Sequence, residues 1–89
     1  MSELSLAVVI LNFNGKHFLE KFLPGIIKFS SPHPVIVADN GSTDDSVLFM
    51  RQNFPDTRVI ENKGNFGYAK GYNMALKQVE AQYYVLVNS

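Results

Sequence analysis

The chain has 89 residues, of which 46% are hydrophobic, and its eight basic and eight acidic side chains cancel at neutral pH. This length supports one compact core without a second domain, and the balanced charge excludes a sequence-wide positive field able to hold nucleic acid, while a small anionic ligand stays compatible. Because there is no cysteine, a disulfide framework and a thiolate metal site are both excluded, which suits a reducing cytoplasm.

Short apolar runs alternate with helical patterns along the chain. The first run, Leu6 to Leu11, is too short for a signal peptide or a membrane span. With three later runs of similar content it predicts strands buried on both faces; the later runs are Val35 to Ala38, Arg58 to Ile60 and Tyr83 to Val87. The order βαβαβαβ predicts one α/β unit over residues 1–89, with parallel strands joined by right-handed crossovers.

Three segments between these strands have the apolar spacing of helices. In the first, Pro24 cannot donate a backbone hydrogen bond, which predicts a kink, or a break and restart, at Pro24-Gly25. The second is preceded by Ser42 to Asp45, whose side-chain oxygens can cap a first turn. The third begins near Gly67, and its apolar face comprises Tyr68, Ala69, Tyr72, Leu76 and Val79.

Polar or glycine-rich loops follow every predicted strand. They are Asn12 to Gly15, Asp39 to Ser42, Asn62 to Gly67 and the pair Asn88-Ser89. Because the carboxyl ends of parallel strands meet at one edge of a sheet, we expect the four loops to converge there. Each loop alone is compatible with ordinary turn chemistry, but together they offer the hydrogen-bonding groups and close backbone approach that a nucleotide needs.

Asp39 is the sharpest candidate in these loops. At the end of a buried strand, its carboxylate can accept a hydrogen bond from the imide N–H of a uracil-like base. Its alternative role is to cap the loop around Gly41 or the second helix, but Ser42 to Asp44 already supply capping oxygens, which favours base binding. Asn12 and Asn14 either contact the base as well or order the turn.

The segment from Gly64 to Gly71 combines glycine, aromatic and basic residues. Glycine inside a helix costs about 1 kcal/mol relative to alanine, so Gly71 predicts close packing on the sheet or close approach of a ligand. These glycines follow the third strand rather than the first, which argues against a dinucleotide fingerprint. Lys63 and Lys70 either contact a diphosphate or solubilise the surface. The aromatic side chains either stack on a base or pack in the core; they are Phe13, Phe66 and Tyr68.

Three stretches, taken together and in order, resemble family 2 glycosyltransferases of the GT-A fold, particularly bacterial rhamnosyltransferase-like members. They are Val8 to Gly15, Val37 to Asp44 and Asn62 to Asn73. The resemblance implies a Rossmann-like parallel sheet in strand order 3-2-1-4. It also implies transfer of a sugar from a UDP-, dTDP- or GDP-linked donor to a glycan or lipid-linked hydroxyl acceptor. The implied setting is bacterial polysaccharide or glycoconjugate synthesis for the cell envelope, by a cytoplasmic enzyme that is peripheral at the inner membrane when complete.

The same resemblance assigns roles around the candidate site. It places base contact on Asp39, sets Asn12 and Phe13 beside the base, and brings the turn from Asn65 to Gly67 near the nucleoside. The full predicted nucleotide site comprises Asn12, Phe13, Asn14, Asp39, Asn40, Gly41, Asn65, Gly67 and Lys70.

The resemblance also implies a metal site and a catalytic base in the complete enzyme. In the family, the strand that matches Tyr84 to Val87 leads into an Asp-x-Asp-type motif that holds Mn²⁺ or Mg²⁺ on the diphosphate, and a later carboxylate activates the acceptor. Both would follow Ser89, so we expect no catalytic residue and no metal ligand within residues 1–89. We expect this segment to bind the donor weakly without turnover, and to self-associate through the uncovered edge of the fourth strand.

Two other classes of protein fit parts of the sequence. Lys63 to Lys70 resembles a stretched RNP1 motif of an RNA-recognition module, but Asn65 interrupts the motif, the aromatic residues follow helical spacing and the chain is neutral. A non-catalytic flavodoxin-like module is the second alternative. Strand pairing separates the three classes, because an RNA-recognition fold pairs its first and third strands antiparallel and a flavodoxin-like sheet has another strand order.

Overall fold

The computed structural model describes residues 5–89, which alternate strictly between strand and helix. The strands are β1 Leu6–Asn12, β2 Val35–Asp39, β3 Arg58–Glu61 and β4 Tyr83–Asn88, and the helices are α1 Lys16–Ser30, α2 Ser46–Asn53 and α3 Gly67–Leu76. Each strand extends one residue beyond the predicted apolar run, at its carboxyl end. The polar residues that end these strands therefore belong to the sheet and are held by its hydrogen bonds.

The strands described here form one parallel sheet in the order β3-β2-β1-β4, which confirms the predicted order. Strand β1 lies in the interior and pairs with β2 on one side and β4 on the other. The RNA-recognition alternative is wrong, because it needs an antiparallel pairing of β1 with β3. The flavodoxin-like alternative is wrong as well, since that sheet places β1 between β2 and β3.

The core fills both faces of the sheet. Alternate side chains of β1 and β2 point to opposite faces. On one face they pack under α1 and α2, in a cluster of Val8, Ile10, Leu19, Leu23, Val35, Val37 and Met50. On the other face they pack under α3 and the segment that follows it, in two clusters that contain Val9, Leu11, Ala38, Tyr72 and Ala75, and Ala7, Ile36, Ile60 and Val79. The central strands are therefore buried on both faces, as predicted.

Strands β3 and β4 are more exposed than predicted. In β3 only Ile60 is buried, and no residue of β4 is fully buried. Val85 and Leu86, on opposite faces of β4, are 45% and 48% exposed. Both strands lie at an edge of the sheet and have one neighbour each. The prediction of burial on both faces is wrong for these two strands because apolar composition does not distinguish an edge strand from a central one.

Helix α1 runs without interruption through Pro24, so the predicted break and restart is wrong. Leu19 and Leu23, which precede Pro24, are fully buried against the sheet, and Ile26 and Ile27, which follow it, pack partly buried against the same cluster. Pro24 itself is exposed. Proline has no backbone N–H, so one carbonyl group of the preceding turn lacks its helical hydrogen bond. On this exposed side of α1, water can solvate that carbonyl group. Packing of the apolar face maintains the helix. Among residues 5–89, no helix combines the length and the apolar composition needed to cross a bilayer.

The first turn of α3 does not pack against the sheet as the apolar spacing of the sequence predicts. Gly71, Tyr72 and Ala75 are buried, whereas Tyr68 is 68% exposed and Ala69 is exposed too. The predicted placement of Tyr68 and Ala69 on the core face is therefore wrong. The first turn of α3 lies at the carboxyl edge of the sheet, where Tyr68 borders a cavity rather than the core.

Two glycines inside helices differ in their surroundings and predict opposite effects of the same substitution. A Cβ on Gly25 would have no heavy atom within 4 Å, whereas a Cβ on Gly71 would lie 3.1 Å from both amide atoms of Asn40 and from Cδ1 of Leu11. Gly25→Ala should stabilise the protein by about 0.5 to 1 kcal/mol through helix propensity. Gly71→Ala should destabilise it by about 1 kcal/mol or more, because the overpacking exceeds that gain.

Urea unfolding of the two variants beside the wild type measures both effects. Equal stabilisation by the two substitutions would contradict the close contact of α3 with β1 and β2.

Candidate functional site

Asn12 and Asp39 end the two central strands and lie side by side in the parallel register. They are 0% and 4% exposed. Asn12 Nδ2 donates a hydrogen bond to Asp39 Oδ1 at 3.0 Å. Ser42 donates to the same carboxylate twice, from its hydroxyl to Oδ1 at 2.6 Å and from its backbone amide to Oδ2 at 2.9 Å. Since a carboxylate offers about four acceptor positions, Asp39 organises the β2–α2 loop and keeps acceptor capacity on Oδ2.

Asn14 fastens the β1–α1 loop to the β2–α2 loop. Its φ of 53° lies in the left-handed region, which asparagine tolerates better than most residues. Its Oδ1 accepts hydrogen bonds from the amides of Thr43 at 2.8 Å and Asp44 at 3.1 Å, and its own amide donates to Ser42 Oγ at 2.9 Å. The sequence leaves two roles open for Asn14, which are contact with the base and ordering of the turn. These hydrogen bonds order the turn.

Asp44 accepts hydrogen bonds from the first residues of α1 and α2, which both begin near the carboxyl edge of the sheet. Its Oδ1 accepts hydrogen bonds from the amide and hydroxyl of Ser46, and its Oδ2 accepts one from the amide of Lys16 at 3.3 Å. Desolvation by partial burial raises the pKa of this carboxyl, but the hydrogen bonds from Ser46 and Lys16 and the Lys16 charge outweigh it. The pKa of Asp44 therefore lies below its ordinary value of 3.8, and the predicted capping segment acts through Asp44.

A second network of amides ties the end of β2 to the β3–α3 loop. Asn40 and Asn62 are 2% and 7% exposed. Asn62 Nδ2 donates to Asn40 Oδ1 at 3.1 Å and to the carbonyl oxygen of Gly71 at 3.2 Å. Asn40 Nδ2 in turn donates to Asn65 Oδ1 at 3.4 Å and to the carbonyl oxygen of Gly67 at 3.3 Å. This network joins three elements at one point of the edge.

Gly41 lets the two loops touch. Its φ of 81° favours glycine, and a Cβ at this position would lie 2.8 Å from the Gly64 backbone. The β2–α2 and β3–α3 loops therefore approach backbone to backbone, a distance that any larger residue would prevent.

A cavity of about 320 Å³ opens beside these networks. It has aromatic side chains that can contact a planar ring and amides that can donate and accept hydrogen bonds. Its lining residues are Leu11, Phe13, Asn40, Asn65, Gly67, Tyr68 and Ser89. Its volume lies at the low end of the range of about 300 to 1,000 Å³ that is typical of small-molecule sites. Four of the predicted site residues are thus brought together: Phe13, Asn40, Asn65 and Gly67.

The other predicted site residues lie around the cavity without lining it. Asn12 and Asp39 are buried, Asn14 joins two loops, and Gly41 rests against Gly64. Lys70 lies with its ammonium 4.9 Å from the centroid of the Phe66 ring. Sequence reasoning left Leu11 and Ser89 out of the site and gave Tyr68 only an undecided role. Ser89 could have been included in the site because it is a polar residue directly after a predicted strand, as are the site residues of the other loops.

No cluster of three or more His, Cys, Asp or Glu side chains that could hold a metal ion occurs within residues 5–89. Asp39, Asp44 and Asp45, the acidic side chains of the β2–α2 loop, do not form such a group.

A larger groove of about 830 Å³ lies between α1 and β4. Its walls are mostly apolar and include Phe18, Phe22, Ile26, Phe29, Val85 and Val87, and its polar side chains come from residues 30–33. It lacks the convergent hydrogen-bonding groups that orient a small polar ligand. The smaller cavity at the carboxyl ends of the strands is therefore the candidate site.

Comparisons with known proteins agree with this architecture. The family model described as Glycosyl transferase family 2 matches residues 7–89. The N-acetylglucosaminyl-diphospho-decaprenol L-rhamnosyltransferases of two Mycobacterium tuberculosis strains, CDC 1551 / Oshkosh and ATCC 25618 / H37Rv, are each 32% identical over 75 residues, which cover 83% of this chain and 24% of theirs.

One solved structure extends the comparison to the fold. A mannosyltransferase from Pyrobaculum calidifontis, in complex with GDP-Man and Mn²⁺, superposes with a TM-score of 0.76 and 24% sequence identity, over 93% of this chain and 26% of that chain. The chain spans about a quarter of the length of these proteins.

The cap formed by Asp44 predicts a pH-dependent contribution to stability. Asp44→Ala should destabilise the protein by about 1 kcal/mol at neutral pH, because two helix starts lose an acceptor. Since the folded pKa is depressed, the stabilisation is present above the ordinary pKa and is lost as pH falls through the folded value. In urea unfolding between pH 7 and strongly acidic pH, the difference in stability between wild type and variant should therefore stay constant at first and narrow as the pH falls below the ordinary pKa of 3.8.

Asp45→Ala is the matched control, because the Asp45 side chain makes no capping hydrogen bond. A constant difference between the wild type and Asp44→Ala across this pH range would contradict the role of the Asp44 charge.

Proposed function

Because this chain belongs to glycosyl transferase family 2, we propose that it forms the donor-binding part of an enzyme that transfers a sugar from a nucleoside diphosphate sugar to a hydroxyl group. Its sheet order is that of the GT-A fold. The observation that carries the proposal is the cavity at the carboxyl ends of β1, β2 and β4, where α/β sheets bind nucleotides.

The nucleoside fits the cavity by the chemistry of its walls. Phe13 and Tyr68 are exposed enough to contact a base, and Asn40 and Asn65 supply amides for a base or ribose. At Gly67, φ is 74° and a Cβ would have open space around it, so the backbone is accessible to a ligand. We assign base recognition to Asp39, whose Oδ2 accepts one hydrogen bond within the chain and, as a carboxylate oxygen, can accept a second.

The names of the relatives support a proposal for the acceptor and the cellular setting. The Mycobacterium tuberculosis enzymes are named for transfer of L-rhamnose to N-acetylglucosaminyl-diphospho-decaprenol. We propose a glycan or lipid-linked hydroxyl acceptor for this enzyme, within cell-envelope polysaccharide or glycoconjugate synthesis. We propose that the complete enzyme works in the cytoplasm at the inner membrane surface, where it can reach a lipid-linked acceptor.

Transfer forms a bond between the acceptor oxygen and the anomeric carbon and breaks the bond to the nucleoside diphosphate, which leaves with the electron pair. The acceptor proton must pass to a base, and the diphosphate charge must be neutralised. We propose that residues outside this segment provide the catalytic base and the ligands of the divalent metal. Residues 1–89 bind the nucleoside and do not catalyse transfer by themselves. The mannosyltransferase solved with Mn²⁺ supports a metal in the complete protein.

The assignment of Asp39 predicts the effect of a conservative substitution. Asp39→Asn should weaken binding of the preferred nucleoside diphosphate by about tenfold or more in the full-length gene product, because a hydrogen bond to a charged acceptor is lost. Calorimetric titration with UDP, dTDP and GDP measures the affinities.

Ser42→Ala is the control, since it removes the hydroxyl that donates to Asp39 and accepts from the Asn12 and Asn14 amides, and leaves the carboxylate in place. Its effect should be smaller. Equal losses in both variants would show that Asp39 acts through the loop alone, and unchanged affinity in Asp39→Asn would remove it from base recognition.

If the metal ligands lie outside residues 1–89, nucleotide binding by the 89-residue chain should not depend on a metal ion. Without protein carboxylates to fix the ion, UDP and UDP-sugar affinities should change less than about twofold between Mn²⁺ and EDTA. A sugar-release assay should show no turnover. Strong metal dependence would instead point to Asp39, Asp44 and Asp45 as ligands and contradict the proposed division.

A further inference from the structure

Asn62 is a buried amide whose hydrogen-bonding groups are only partly satisfied within the chain. It is 7% exposed, and its Oδ1 is buried without a hydrogen-bond partner. Burying a polar atom without a partner is unfavourable. What the amide adds is two directed hydrogen bonds from Nδ2, to Asn40 Oδ1 and to the Gly71 carbonyl oxygen. Both partners are acceptors, so they determine which end of the Asn62 amide faces them.

The bond from Asn62 determines the orientation of Asn40. Since Asn40 Oδ1 is occupied by Asn62, the Asn40 NH₂ group must face the β3–α3 loop. There it makes two long hydrogen bonds, 3.4 Å to Asn65 Oδ1 and 3.3 Å to the Gly67 carbonyl oxygen. These distances exceed the usual range for N–H···O bonds. Asn40 is therefore held more firmly on its buried side than on the side of the cavity.

Gly71 closes the remaining space around the Asn40 amide. A Cβ on Gly71 would lie 3.1 Å from both Asn40 Nδ2 and Asn40 Oδ1. The Asn40 side chain is thus confined between α3 and Asn62. It lines the cavity together with Asn65 and Gly67, and its long bonds to these two residues can be exchanged for bonds to a ligand.

We infer that Asn62 is a positioning residue for the donor site, an inference that rests on the proposed function. Asn62 does not line the cavity. It holds the Asn40 amide so that a hydrogen-bond donor, and not an acceptor, faces the cavity. The group recognised there is an acceptor oxygen of the nucleoside, such as a base carbonyl or a ribose hydroxyl. Loss of Asn62 frees the Asn40 amide to rotate and present its oxygen instead.

Asn62→Asp reverses this arrangement with almost no change of shape. A carboxylate at position 62 accepts hydrogen bonds only, so the Asn40 NH₂ group turns towards it and the Asn40 oxygen turns to the cavity. Asn62→Leu removes the bond without replacing it. In the full-length gene product, both variants should weaken binding of UDP, dTDP or GDP, whichever the wild type prefers, by about tenfold.

The control is Asn53→Asp, the same substitution at an exposed asparagine that ends α2 and does not line the cavity, and it should leave affinity unchanged. Affinities are measured by calorimetry well below the melting temperature of each variant. Donor KM should rise with the Kd while kcat changes less than about twofold, because ground-state binding is what is lost. A purely structural role would instead lower the Tm and leave the affinity of the folded protein unchanged.

A measurement on the wild type tests the inference without a variant that must fold. In NMR spectra of the nucleotide complex, nuclear Overhauser contacts should join the ligand to the side-chain NH₂ protons of Asn40 and not to those of Asn62. Contacts to Asn62, or full affinity in folded Asn62→Asp and Asn62→Leu, would overturn the positioning role alone. Absence of nucleotide binding by the wild type would overturn the proposed function and this inference together.

Discussion

A buried amide and a buried carboxylate stand side by side at the ends of the two central strands, and the candidate site depends on this pair. Asp39 is tolerated in the interior because Asn12 and Ser42 satisfy it. That requirement folds the β2–α2 loop back over the strand ends, where Asn14 binds the neighbouring loop to it. A shift of one residue between β1 and β2 would separate Asn12 from Asp39 and undo both loops.

The cavity lies between two kinds of hydrogen-bond network. On the Asp39 side, Ser42 makes two short bonds to the carboxylate, of 2.6 and 2.9 Å, which fix that wall, although Asn12 Oδ1 is buried there without a partner. On the Asn40 side, a buried anchor at Asn62 is followed by long bonds to Asn65 and Gly67. A site built this way has a fixed frame and a few groups that can exchange internal partners for a ligand. The close contact of Gly41 with Gly64 keeps the two walls together.

The sequence predicted the elements and their order well, because hydrophobic period and alternation are local properties of the chain. It overestimated the burial of β4, since composition does not reveal a strand's position in the sheet. It set Tyr68 on the apolar face of α3, with base stacking as the alternative, because helical period gives spacing without the phase of the first turn. Phe13 and Asn65 were identified from their loops. Asn62 was identified only as the start of its loop, because its role depends on hydrogen bonds to Asn40 and Gly71, which only the folded chain brings together.

The central claim is that a nucleoside diphosphate binds at the carboxyl ends of β1, β2 and β4. Backbone amide chemical shifts recorded during titration with UDP, dTDP and GDP test it most directly. At least one of the three should produce saturable shifts centred on Phe13, Asn40, Asn65 and Gly67, with little change along the groove between α1 and β4. Saturable shifts confined to that groove, or no shifts with any of the three nucleotides, would contradict it.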